Sequence, residues 1–165
     1  MQISNLYEKQ RELDHYIESK HKLGNENLLQ RKLLALQVEV GELANETRCF
    51  KFWSEKGPSA QDIILEEYVD GVHFVLSIGL EMSLETEVVQ WSTTQQVIGE
   101  ELVPYFLNVM NRVSALSQVG SKENYVSLFQ DYFVLGSALG FSEVDIISAY
   151  EKKNEVNHVR QDQGY

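Results

Sequence analysis

One cysteine, two prolines and no apolar run longer than a few residues set the first limits on this chain of 165 residues. Cys49 cannot form an internal disulfide by itself, and no Cys/His cluster has zinc-ligand spacing, so a disulfide scaffold and a structural zinc site are excluded and a reducing compartment is expected. Runs such as Phe74 to Leu76 are far too short to span a bilayer, and the polar stretch from Gln2 to Glu12 does not read as a signal peptide. The expectation is a soluble, cytoplasmic protein with no membrane partner. Basic residues are also scarce: 14 Lys and Arg stand against 25 Asp and Glu, for a formal charge of −11. That balance disfavours nucleic-acid binding, which draws its affinity from cations paired with phosphates. Solenoid repeats and low-complexity linkers are lacking too.

What is present is a 43% hydrophobic content, enough for one packed domain over residues 1–165. Apolar residues return at intervals of three and four, which predicts an all-α helical bundle. A first helix is expected over about Ser4 to Ser19, with Leu6, Leu13 and Ile17 on one stripe. His21 to Glu26 reads as a loop. Leu29, Leu33, Leu36, Val40 and Leu43 form the seam of a second helix. An aromatic and polar connector, Lys51 to Gly57, precedes a third helix capped by Ser59 with Asp62 three residues on, buried through Leu65, Val69, Val72 and Leu76, and ending about Met82. Val97 to Ser117 and Tyr125 to Leu139 read as core helices, with Pro104 ending, kinking or opening one of them. Gly140-Phe141-Ser142 is a break, and Ser142 with Asp145 opens a last helix to about Asn154. From Asn157 to Tyr165 the apolar period is lost, and a mobile tail is expected.

The chemistry lies in two acidic pairs. Glu39-Val-Gly-Glu42 and Glu67-Tyr-Val-Asp70 each put two carboxylates about one turn apart on one helix face, beside Val40 and Leu43 in one case and Val69 and Val72 in the other. One E-x-x-E is common on solvated helices; two that border apolar stripes imply four like charges meeting in a partly dry place. Such charges raise each other's pKa and destabilise the fold unless a cation neutralises them. Hard oxygen ligands point to magnesium, with manganese as the alternative, leaving coordination positions for water and phosphate oxygens.

These residues resemble a known family. Glu39-x-x-Glu42 followed by Glu67-x-x-Asp70 is similar to the signature of the all-α NTP pyrophosphatases, and the surroundings are similar to the dimeric dUTPases of some bacteria, phages and protozoa. The resemblance includes Gln10-Arg-Glu-Leu13-Asp14, the Phe50-Lys51-Phe52-Trp53 connector, His73-Phe74, and the closing Lys153-x-x-x-Asn157-x-x-Arg160-Gln161-x-x-Gly164-Tyr165, its most specific part. Residues 84–150 match only in being helical.

The resemblance implies two or more magnesium ions held by Glu39, Glu42, Glu67 and Asp70. It also implies a deoxyuridine pocket of Gln10, Asp14, Trp53, His73 and Phe74, and a phosphate clamp of Lys153, Asn157, Arg160 and Gln161. Asp14 departs from the family's usual asparagine. Ser54 stands where a lysine commonly follows the tryptophan, leaving Lys56 or Lys51 as substitutes. On the residues alone, Gln10 reads as an exposed helix residue, Trp53 as a core or interface anchor, and His73 as a satisfied core histidine.

The implied activity is hydrolysis of dUTP, and also dUDP, by a homodimer, with Glu39 or Glu42 taking a proton from the attacking water. Two rival readings stay open: an all-α pyrophosphatase for another nucleotide, and a non-enzymatic helical protein whose acidic face binds a partner. A regulatory protein partner is also left open by the sequence.

Overall fold

A computed structural model describes residues 3–24, 26–88 and 101–164. The described residues form six helices and no strand: α1 (Ser4–His21), α2 (Leu29–Thr47), α3 (Gln61–Glu81), α4 (Val103–Gln118), α5 (Lys122–Ala138) and α6 (Glu143–Asp162). The bundle is all-α, as the three-and-four periodicity predicts. Among these helices none is singly long and apolar enough to cross a membrane.

The centre of the bundle is α3, which packs on α1, α2, α5 and α6, while α4 lies against α2 and α5. Its expected stripe holds at Val69, Val72 and Leu76, but burial extends to Ile64, Tyr68, Val75 and Ile78 because neighbours cover it on several sides. Close approach on these sides is sterically built in. Gly71 sits under Tyr132, where an added Cβ would lie 1.9 Å from the hydroxyl, and Gly136 sits under Tyr68 in the same way. The two tyrosines stack with ring centroids 5.0 Å apart, and each hydroxyl donates to the other's backbone carbonyl, at 2.7 and 3.3 Å. Both phenols are thus buried with their polar ends satisfied, as dry interiors demand.

Helix ends follow local chemistry in most places. Ser142 and Asp145 make a reciprocal capping box at the start of α6, and Gly140, at φ +88°, closes α5. Pro104 opens α4 in its first turn, where its missing N–H costs nothing. Residues 97–100 of the expected fourth helix lie outside the described residues, and α4 begins at Val103.

Two expectations are corrected. Ser59 does not cap α3: Ala60 holds that position without a side-chain bond, and the Ser59 hydroxyl instead donates to the Glu46 carboxylate, tying the connector back to α2. The last helix does not stop near Asn154 but runs to Asp162, with Gly164 at φ +80° just beyond it. The apolar period is indeed lost there, since Val156 and Val159 are exposed. Polar and aromatic contacts to α1 replace it: Tyr16 donates to Asp162, the His21 ring is 3.0 Å from Gln161 Oε1, and Tyr16 lies against His158.

Candidate active site

Packing of α2 on α3 turns the two acidic pairs toward each other. One carboxylate oxygen from each of Glu39, Glu67 and Asp70 lies within 4.8 Å of the others. Glu42 is outside this trio and lines an open depression with Asn45, Glu46 and Glu67. Burial pushes the Glu39 carboxyl up to about 7, and the charges of Asp70, Glu42 and Glu67 add to the rise. Glu67 and Asp70 are raised too, by burial first. Carboxylates whose charged forms are disfavoured by burial and by one another are a poor structural asset and a good cation site.

Lys153 supplies part of that counter-charge from α6. Its Nζ is 2.7 Å from Asp70 Oδ2 and 2.9 Å from Glu66 Oε1, and its side chain is 10% exposed. The pairing holds Glu66 below the ordinary carboxylate range, whereas at Asp70 burial outweighs the same lysine. The trio offers hard oxygen donors only, with no thiolate among them, so the residues present fit magnesium or manganese better than a soft metal.

A cavity of about 290 Å³ opens beside the trio. Glu39 and Asp70 border it together with Gln10, Leu13, Asp14 and Ile17 of α1, His73, Phe74 and Ser77 of α3, and Asn157, Arg160 and Gln161 of α6. Its volume lies near the lower end for small-molecule sites. Four helices, α1, α2, α3 and α6, therefore enclose one ligand-sized space at the acidic cluster.

The cavity wall is a connected set of hydrogen bonds. Gln10 Nε2 donates to Asp14 Oδ1 at 2.8 Å, and Gln10 Oε1 accepts from the Tyr150 hydroxyl at 2.8 Å. His73 Nδ1 lies 2.8 Å from the same Oε1, and Ser77 donates to Asp14 Oδ2 at 2.6 Å. His73 also stacks on Tyr150, with centroids 4.2 Å apart. Burial, with Lys153 nearby, drives the His73 imidazole down to about 3, so the ring is neutral. Its Nε2 has no hydrogen-bond partner.

Gln10 is 3% exposed, which overturns its reading as a surface residue. Trp53 is 64% exposed on the connector, against Phe50 and Phe52, so it is no core anchor, and it does not line the cavity. Lys56 does not line it either; its carbonyl accepts from Arg48. Four participants escaped the sequence reading: Glu66, Ser77, Tyr150 and Lys32, whose Nζ lies 3.6 Å from Asp14 Oδ2. Spacing carried a signal for some of them. Ser77 follows Asp70 by seven residues and Lys32 precedes Glu39 by seven, in each case two turns along the same face, and Tyr150 precedes Lys153 by three.

A helical bundle that sets a carboxylate trio against a hydrogen-bonding cavity has the parts of an all-α nucleotide hydrolase. The sequence matches the family model described as dUTPase over residues 2–165, and the chain belongs to that family, the dimeric all-α dUTPases. Membership indicates dUTP diphosphatase activity, that is, hydrolysis of dUTP. No curated protein matches the sequence.

Proposed function

We propose that the chain cleaves dUTP to dUMP and pyrophosphate, and dUDP to dUMP and phosphate, as a magnesium-dependent cytoplasmic homodimer, with manganese able to replace magnesium. The observation that carries this reading is the meeting of Glu39, Glu67 and Asp70 at the edge of a cavity walled by Gln10, His73 and Phe74, in a chain of the dUTPase family. Glu42 completes the cation site as the flanking carboxylate. Bound there, magnesium ions neutralise phosphate charge and acidify water.

The chain's own groups do the rest. A carboxylate of the Glu39/Glu42 pair accepts the proton of the water that attacks phosphorus in line with the leaving group. Gln10, Asp14 and His73 read the base, and Phe74 packs on the sugar where a 2′-hydroxyl would need room. Lys153, Asn157, Arg160 and Gln161 hold the phosphate chain, arginine being able to grip two oxygens at once. Lys153 must release Asp70 to do so. Trp53 and Lys56 are exposed, as are Leu34, Val38 and Phe52; a second subunit seated on this surface would bring Trp53 to the base and Lys56 to the phosphates.

The test is a panel of canonical and non-canonical nucleoside di- and triphosphates with magnesium, scored for monophosphate, phosphate and pyrophosphate, beside sedimentation for the subunit count. Selective magnesium-dependent turnover of dUTP and dUDP is expected. Equal turnover of UTP and dUTP would replace this reading with a broader nucleotide pyrophosphatase.

A further inference from the structure

Asp14 is held by more than the groups that line the cavity. Lys32, on α2, places its Nζ 3.6 Å from Asp14 Oδ2, 3.5 Å from Glu18 and 2.8 Å from Glu81, with 12% of its side chain exposed. Burial alone would drive this ammonium toward neutrality, but Glu81, Asp14 and Glu18 more than reverse that pull and keep it charged. Lys32 does not line the cavity. Of its three ion-pair partners, Asp14 is the one that lines the cavity.

The hydrogen-bond roles along this wall follow from Asp14. A carboxylate has no proton to give, so it fixes the Gln10 carboxamide with its NH2 toward Asp14 and its oxygen toward Tyr150 and His73. That oxygen only accepts, so His73 carries its proton on Nδ1, and the unpartnered Nε2 is a lone-pair acceptor. One N–H of Gln10 and the His73 lone pair are then left for a ligand. A base edge with a ring N–H next to a carbonyl, as in uracil, matches that pair. An edge with a bare ring nitrogen next to an amino group, as in cytosine, opposes it. Turning the carboxamide over would exchange the two preferences.

We infer that Lys32 is a specificity-determining positioning residue, which holds Asp14 as a placed carboxylate and through it locks the Gln10 amide and the His73 tautomer in the arrangement that favours a uracil edge over a cytosine edge. The inference rests on the base-binding part of the proposed function. Without the Lys32 charge, Asp14 faces Glu18 and Glu81 in a half-dry place, and swinging to water relieves the repulsion and frees the Gln10 amide to turn. Ser77 holds the same Asp14 oxygen, 2.6 Å away, and acts with Lys32.

The experiment compares wild type, Lys32→Met, Lys32→Arg and Ser77→Ala. It measures kcat and KM for dUTP and dCTP with magnesium, and the ¹⁵N imidazole resonances of His73 in the nucleotide-free protein. Lys32→Met should raise KM for dUTP by about tenfold and shrink the dUTP-over-dCTP preference by a similar factor, with kcat less affected. Its His73 signal should move from the Nδ1–H pattern to a tautomer mixture. Lys32→Arg should restore both, and Ser77→Ala should show a smaller version of the same changes. Asp14→Ala removes the acceptor and leaves Lys32 paired with Glu18 and Glu81, so it keeps the test valid if Lys32→Met does not fold; it should itself loosen the His73 tautomer, and adding Lys32→Met to it should change the preference no further. An unchanged preference and an unchanged His73 spectrum in folded Lys32→Met or Asp14→Ala would overturn the inference while the dUTPase reading stands. Failure of wild type to hydrolyse dUTP would instead overturn the proposed function, and the His73 spectrum would still decide whether Lys32 sets the tautomer.

Discussion

Lys153 Nζ sits 2.7 Å from the Asp70 carboxylate, so a lysine assigned to phosphate is engaged by one of the acids assigned to metal. Both assignments are compatible if the cation changes partner during binding. Magnesium arriving at Glu39, Glu67 and Asp70 would take over the neutralisation of Asp70 and release the ammonium toward the substrate. Lys153 would then serve the nucleotide-free fold and the loaded site in turn.

Replacing Lys153 by Met is therefore expected to have two separable effects. In the absence of metal it leaves Asp70 partly buried without its nearest cation, which should cost about 2–3 kcal/mol of stability. Added magnesium should recover a larger share of that loss than it adds to wild type, while turnover stays low for want of the phosphate contact. Thermal unfolding with and without magnesium checks the first effect, and steady-state kinetics the second. Equal magnesium stabilisation of the two proteins would refute the exchange.

The raised carboxyls make the metal-free protein sensitive to pH in a definite direction. Glu39 moves from 4.5 to about 7 on folding, and Glu67 and Asp70 move upward as well. A raised folded-state value favours the protonated form in the fold, so that stabilisation is full below about 4.5 and is lost as pH rises through about 7. Because these groups are only partly buried, the Glu39 contribution is discounted to about 1 kcal/mol, or about 3 °C in Tm. Magnesium should reverse the loss, most strongly above pH 7. Glu67→Gln should flatten the metal-free curve and abolish turnover, since it removes a repelling charge that is also a ligand. A melting temperature that rises from pH 5 to 7.5 without metal would contradict this account.

Much of this arrangement was legible because helices write their faces into short-range spacing. Glu39, Glu42, Glu67 and Asp70 announce themselves at intervals of three beside apolar stripes, and α2 and α3 do bring three of them together. What depends on distant partners was not legible. Gln10 looks like a surface residue until Tyr150, 140 positions away, and His73, 63 away, close over it. Ser59 has the sequence of a cap, but Glu46 claims its hydroxyl. The end of α6 lacks an apolar stripe, so its extension to Asp162 is visible only once Tyr16 and His21 of α1 lie beside it. Trp53 sits on a connector with no period, and nothing local tells which way its ring turns.

Phe74 lines the cavity beside Asp70 and His73, and the proposed sugar contact gives it a measurable role in discrimination. Phe74→Ala should narrow the dUTP-over-UTP preference by about tenfold, mainly by improving UTP, because the space opened would admit a 2′-hydroxyl. Competition kinetics with both nucleotides measures the ratio directly. A preference that is unchanged, or that widens, would remove Phe74 from the sugar site.

The end of α6 supplies the last prediction. Asn157, Arg160 and Gln161 line the cavity, yet the segment that carries them exposes Val156 and Val159 and is tied to α1 by polar contacts at Tyr16 and His21. Bonds of that kind exchange readily with water, so this turn should open more readily than the apolar core, and a phosphate chain held by Arg160 would keep it shut. Protease cleavage near the end of α6 should accordingly slow when a non-hydrolysable dUTP analogue and magnesium are added together. Ending the chain after Val156 should lower kcat/KM by about 100-fold through lost positioning of the phosphates. The rest of the fold should remain, because the core cluster of α1 to α6 reaches no further than Tyr150 on the last helix. Calorimetry of magnesium binding, circular dichroism and kinetics on the truncated protein separate these outcomes: intact helices and metal binding with weak turnover are expected. Full turnover after truncation, or protection that is the same with and without the analogue, would show that this turn does not close on phosphate.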